Sequence, residues 1–147
     1  MSASPMVSNA AVRAGLDAIL ALLNSGGAGV VKIFTGSEPA TCETADTGTL
    51  LCTFNLSSTA FASSVDNSAG GATATANAIA AATAGNSGTA GYFRGYPHTP
   101  TTTNAVIQGN CGTSAADMVL SSTTITSGDS ITISSWTVTL PDGSGTD

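Results

Sequence analysis

Ser130-Ile131-Thr132-Ile133-Ser134-Ser135-Trp136-Thr137-Val138-Thr139-Leu140-Pro141 is the stretch whose reading decides the fold. Ile131 and Ile133 alternate with Thr, so both point to one face of a sheet. Trp136, Val138 and Leu140 also alternate, but at even positions. In a regular strand the two sets would take opposite faces. The phase slips at Ser134-Ser135, and a β-bulge there returns both sets to one core. A flat, two-sided strand is the competing arrangement.

Shorter strands are expected around this one. Thr123 to Thr126 and a Ser127-Gly128-Asp129 turn lead into it. Residues 89–96 (Thr-Ala-Gly-Tyr-Phe-Arg-Gly-Tyr) form the aromatic centre of the chain. Tyr92, Arg94 and Tyr96 share one strand face and Phe93 takes the other. Pro97-His98-Thr99-Pro100 then breaks the strand into a loop. Residues 29–35 and 49–56 read as strands that pair as neighbours across a loop at 36–48. Val31 and Ile33 face opposite to Lys32 and Phe34; Leu50, Cys52, Phe54 and Leu56 line one side. Residues 57–71 are irregular, anchored by Phe61 and Val65. Residues 72–82 read as a strand of small side chains, 105–109 as a further strand with a turn at Asn110-Cys111-Gly112, and 117–120 as a short one.

One convincing helix is expected, over residues 9–24. Ser8 or Asn9 caps it. Val12, Leu16, Ile19, Leu20 and Leu23 make its apolar face, and Asn24-Ser25-Gly26-Gly27 ends it. Its default partner is the chain's own sheet. Residues 1–8 read as a loose arm and 142–147 as a loose tail, leaving a single domain at 9–141. The expected class is mainly β: an antiparallel β-sandwich or partly closed barrel of about seven to nine short strands with one N-terminal helix.

Composition narrows the function. Of the 147 residues only 8% are charged, against about 25% in ordinary soluble proteins. Net charge is −6, and Arg13, Lys32 and Arg94 are too scattered to form a phosphate-binding patch, which argues against direct nucleic-acid binding. Met1 to Asn9 has no basic leader, and no run of about 18 apolar residues exists, so folding in a cytoplasm and no membrane span are expected. Cys42, Cys52 and Cys111 are an odd count without a CxxC pair and read as reduced thiols. A surface of Ser, Thr and Ala offers little charge repulsion and suits life in an assembly.

Chemistry is hard to place. His98, the sole histidine, sits between prolines in a polar loop. No zinc, calcium or phosphate-loop motif occurs, and no cofactor is implied. Glu38, Glu43 and Asp46 read as solvated loop carboxylates rather than cation ligands. Gly26-Gly27-Ala28-Gly29 reads as a helix end rather than a phosphate cradle. The Tyr92/Arg94/Tyr96 face has the composition of an interface hot spot; tyrosines at the rim of the core are the alternative. Trp136 reads as a core anchor rather than a sugar platform.

Six segments, in order, carry a resemblance: residues 11–19 (AVRAGLDAI), 31–39 (VKIFTGSEP), 47–52 (TGTLLC), 89–94 (TAGYFR), 112–118 (GTSAADM) and the strand at 130–141. The series resembles small virion proteins of tailed bacteriophages encoded near the major capsid protein. The resemblance implies a head decoration (cement) protein on the capsid exterior, with the major capsid protein and sister subunits of a homotrimer as partners. It brings no catalytic motif, so no active-site residue follows from it. A tail- or fibre-associated protein and a carbohydrate-binding adhesin domain are the other classes.

Overall fold

A computed structural model describes residues 5–67 and 70–142. The expected arm and tail therefore lie partly outside the described residues, at 1–4 and 143–147.

The helix α1 spans Asn9–Ala21 and tightens into a 3-10 turn at Leu22–Asn24. Ser8 caps it: its Oγ accepts the Ala11 N–H at 3.1 Å, which supplies one of the donors a helix start leaves unpaired. Gly26 and Gly27 follow with positive φ. Val12, Leu16, Leu20 and Leu23 are buried, while Ile19 sits at the margin with 37% exposure. The buried stripe packs on the chain's own sheet, chiefly on β4 (Gly71–Thr75), with β11 (Ile133–Pro141) and β3 (Val65–Asp66) beside it.

The remaining strands are β1 (Val30–Thr35), β2 (Leu50–Asn55), β5 (Ala82–Thr83), β6 (Gly88–Tyr96), β7 (Ile107–Gly112), β8 (Met118–Leu120), β9 (Thr124–Ile125) and β10 (Ser130–Ile131). The main sheet runs β2-β1-β6-β7-β8-β11-β4-β3, with β9 on β6, and β10 pairs with β5. The path has two ends, so the sheet is not a closed barrel, and the architecture is consistent with a β-sandwich. It is mixed rather than wholly antiparallel, because β7 and β8 run parallel. Five residues separate those two strands, and they include Ala115 at φ 49.

The deciding stretch contains the bulge. Ile133 faces Leu120 and Ser135 faces Val119, so Ser134 is the extra residue. Ile131 and Trp136 are both buried, at 2% and 1% exposure, in one core. The stretch is also divided at Thr132, whose N–H turns to Ser121 Oγ. Trp136 meets Phe61 and Phe93 edge-on at centroid distances of 4.7 and 5.2 Å. Gly95 makes room for it: a Cβ there would lie 3.3 Å from the indole.

Three expectations need correction. The alanine-rich strand stops at Thr75 and resumes only as β5, since Asn77 turns to bond Ala60 and Thr59. Asn110-Cys111-Gly112 is not a turn but the end of β7, held by Tyr92 opposite Asn110 and Met118 opposite Cys111. Val65 is no anchor; it is 58% exposed on the edge strand β3. Ser64 takes the buried place beside it, donating to Arg13 O and binding the Asp17 carboxylate through its N–H. Among the described residues no helix is long and apolar enough to cross a membrane.

Candidate functional site

Strand alternation sends Phe93 and Gly95 into the main core and Tyr92, Arg94 and Tyr96 to the other side of β6. The three are buried, at 1%, 0% and 0% exposure. The cover is the β1–β2 connection at residues 36–49. The contact these side chains make is therefore internal, between sheet and loop.

Arg94 stands at the centre. Its Nη1 donates to Asp46 Oδ1 at 2.8 Å, to Thr44 O at 2.8 Å and to Thr102 O at 3.4 Å. Nη2 reaches Thr41 O at 2.9 Å, and Nε reaches Gln108 Oε1 at 3.0 Å. Gln108, directly opposite Arg94 on β7, passes its own amide N–H to Pro39 O. A buried charge is tolerated when it is paired and fully hydrogen-bonded, and no buried side-chain polar atom among the described residues lacks a partner.

The tyrosines complete the clamp. Tyr92 Oη donates to Thr47 O at 2.6 Å and accepts the Thr47 N–H at 3.0 Å. Its ring stacks on Phe34, with centroids 5.0 Å apart. Tyr96 Oη donates to the same Asp46 oxygen that Arg94 binds. Burial, with the adjacent Asp46 carboxylate, pushes the Tyr96 phenol well above its usual range, so it stays a donor. Lys32 places its ammonium 5.1 Å from the Tyr96 ring centre. Gly91 lets the loop close, since a Cβ there would fall 1.8 Å from Gly36 O.

Glu38 and Glu43 are exposed while Asp46 turns inward; among the described residues no three His, Cys, Asp or Glu groups converge to hold a metal ion. His98 is exposed, its Nδ1 2.9 Å from Ala28 O. Gly29 belongs to a close packing of Leu23 O and Tyr96 O rather than to an open cradle. Trp136 is core. The three thiols are free. Burial raises all three thiol pKa values, and for Cys111, where Asp117 adds to the effect, the value is pushed up to about 12. A cleft of about 340 Å³ lies between α1 and residues 58–63, lined by Leu20, Phe61 and polar side chains. Asp17 and Asn24 at its edge already bind Ser64, Ser57 and Ala60.

The sequence placed Arg94 between two tyrosines but did not pair it with Asp46 or Gln108. The available signal was the requirement that a buried Arg find a carboxylate, with the loop at 36–48 carrying the nearest ones along β1. No known protein family, curated protein or solved structure matches the chain.

Proposed function

We propose that this chain is a non-enzymatic structural protein of a tailed-bacteriophage particle, a decoration protein that binds the outside of the head and stabilises capsomer junctions. One observation carries most weight beside the sequence resemblance. The fully buried guanidinium of Arg94, with its aromatic neighbours, is spent on holding a surface loop. That arrangement suits a protein that presents shaped surfaces. The major capsid protein and sister copies in a homotrimer are the partners. The arm carrying exposed Met6 and Val7, with Ile19 on the outer side of α1 and Leu22 in the 3-10 turn after it, supplies apolar contact area. Many weak contacts repeated over a shell bind firmly through multivalency.

The test is to mix the purified chain with expanded heads that lack it, sediment the particles, and image them. The expected result is saturable binding at fixed junctions of the outer lattice. A stable monomer with no affinity for expanded heads overturns the proposal, and labelling confined to tails points to a tail protein instead.

A further inference from the structure

We propose that residues 36–48 form a lid that opens as one body about its neck and uncovers the Tyr92–Arg94–Tyr96 row while the sheet stays folded. The ends of the segment are close. Thr35 N–H donates to Thr49 O at 3.0 Å, and Thr49 N–H to Thr35 Oγ1 at 2.8 Å. A compact loop with joined ends is an Ω-loop, a class often used in function. Glycines with positive φ stand at both ends of the segment, Gly36 at 84° and Gly48 at 74°, where the backbone needs the freedom that glycine supplies.

The lid's own side chains are mostly polar, set over the buried rings of Tyr92 and Tyr96. Only Pro39 of the segment is buried, with Cys42 and Asp46 half-buried. The fastening consists of Arg94, Tyr92, Tyr96 and Gln108 from below, plus the Asp46 N–H bond to Thr102 O. Segments with few buried apolar contacts open at lower free energy than the core does. The sheet beneath has its main core on the other side, where Val31, Ile33 and Phe93 pack. Opening exposes an arginine flanked by tyrosines, the side-chain set typical of interface hot spots.

Native-state hydrogen exchange on the full chain, at rising sub-denaturing urea, tests this. The reporters are the amides of residues 46 and 47, which bond across the seam to Thr102 O and Tyr92 Oη. They should share one opening equilibrium, with a urea dependence well below that of global unfolding, and exchange at least about a hundredfold faster than the Ile33 and Phe93 amides. Asp46→Asn should speed both together by about a hundredfold, because it leaves Arg94 without its carboxylate. Tyr92→Phe, which removes one neutral anchor, should speed the amide of residue 46 by about tenfold and serves if Asp46→Asn does not fold. Exchange of the two only with the sheet, two unrelated rates, or a rate at residue 46 unmoved by either folded variant overturns the proposal.

Discussion

Arg94 shows at the level of one residue how a charge-poor chain uses charge. Arg94→Met keeps much of the volume but removes five donors. Asp46 then loses its cation and keeps the Tyr96 hydroxyl, while the carbonyls of Thr41 and Thr44 lose the guanidinium beneath the loop. Breaking a buried pair in this way costs about 3–5 kcal/mol. Urea denaturation of Arg94→Met, Asp46→Leu and the double variant should give a double loss smaller than the sum of the singles by more than about 0.5 kcal/mol. Additivity would mean that the two groups do not act as a pair. The thiols make a second prediction. The folded chain holds the Cys111 proton up to about pH 12, whereas the unfolded chain releases it near the ordinary thiol value of about 8.5. Between those limits the unfolded state binds fewer protons, so stability is fully present at neutral pH and falls as pH rises. Cys42, Cys52 and Tyr96 are shifted in the same direction. Thermal melts under reducing conditions should therefore lose midpoint steadily above about pH 9, and Cys111→Ala should flatten the early part of that slope.

The strand at 130–141 was legible from sequence because its two alternating sets fall out of phase at one place. The helix was legible because Ser8, the apolar stripe and Gly26-Gly27 agree on its limits. The break at Thr132 was not, since it depends on Ser121 from a different strand. Nor was the lid: residues 36–48 have no apolar period, and their placement follows from side-chain bonds to β6 and β7 that no local pattern encodes. The row of Tyr92, Arg94 and Tyr96 was read correctly as one face, but its cover could not be seen. The bulge yields an asymmetric prediction. Deleting Ser134 removes the extra residue and leaves Ile133, Ser135 and Trp136 opposite Leu120, Val119 and Met118 in regular register. Both apolar sets stay on the core side, so the cost should be within about 1 kcal/mol. Deleting Ser134 and Ser135 together instead makes Ile133 and Trp136 neighbours on opposite faces and pushes Trp136 toward solvent, at about 3 kcal/mol or more. Tryptophan emission separates the cases, shifting to the red only for the double deletion; equal losses for both would reject the bulge as the device that sets the phase.

Across the described residues, the strand latest in sequence completes the middle of the sheet. β11 lies between β8 and β4, and α1, the earliest described element, packs on β4 and β11. The two ends of the fold also meet, where Val7 N–H donates to Asp142 O at 3.1 Å. Without β11, the β3–β4 pair loses its link to β8 and the helix loses part of its floor. Trp136, which joins Phe93 of one half to Phe61 of the other, is absent as well. No N-terminal portion holds both halves of the core, so folding must wait for residues 133–141. A chain ending at Thr132 should show no cooperative urea transition and no protected amides in α1, whereas the full chain should unfold in one step. Because its pairings are mostly distant in sequence, the full chain should refold in milliseconds to seconds rather than microseconds. A truncated chain that kept slow exchange in α1 would show that the helix and β4 form a unit of their own, and the dependence on β11 would fail.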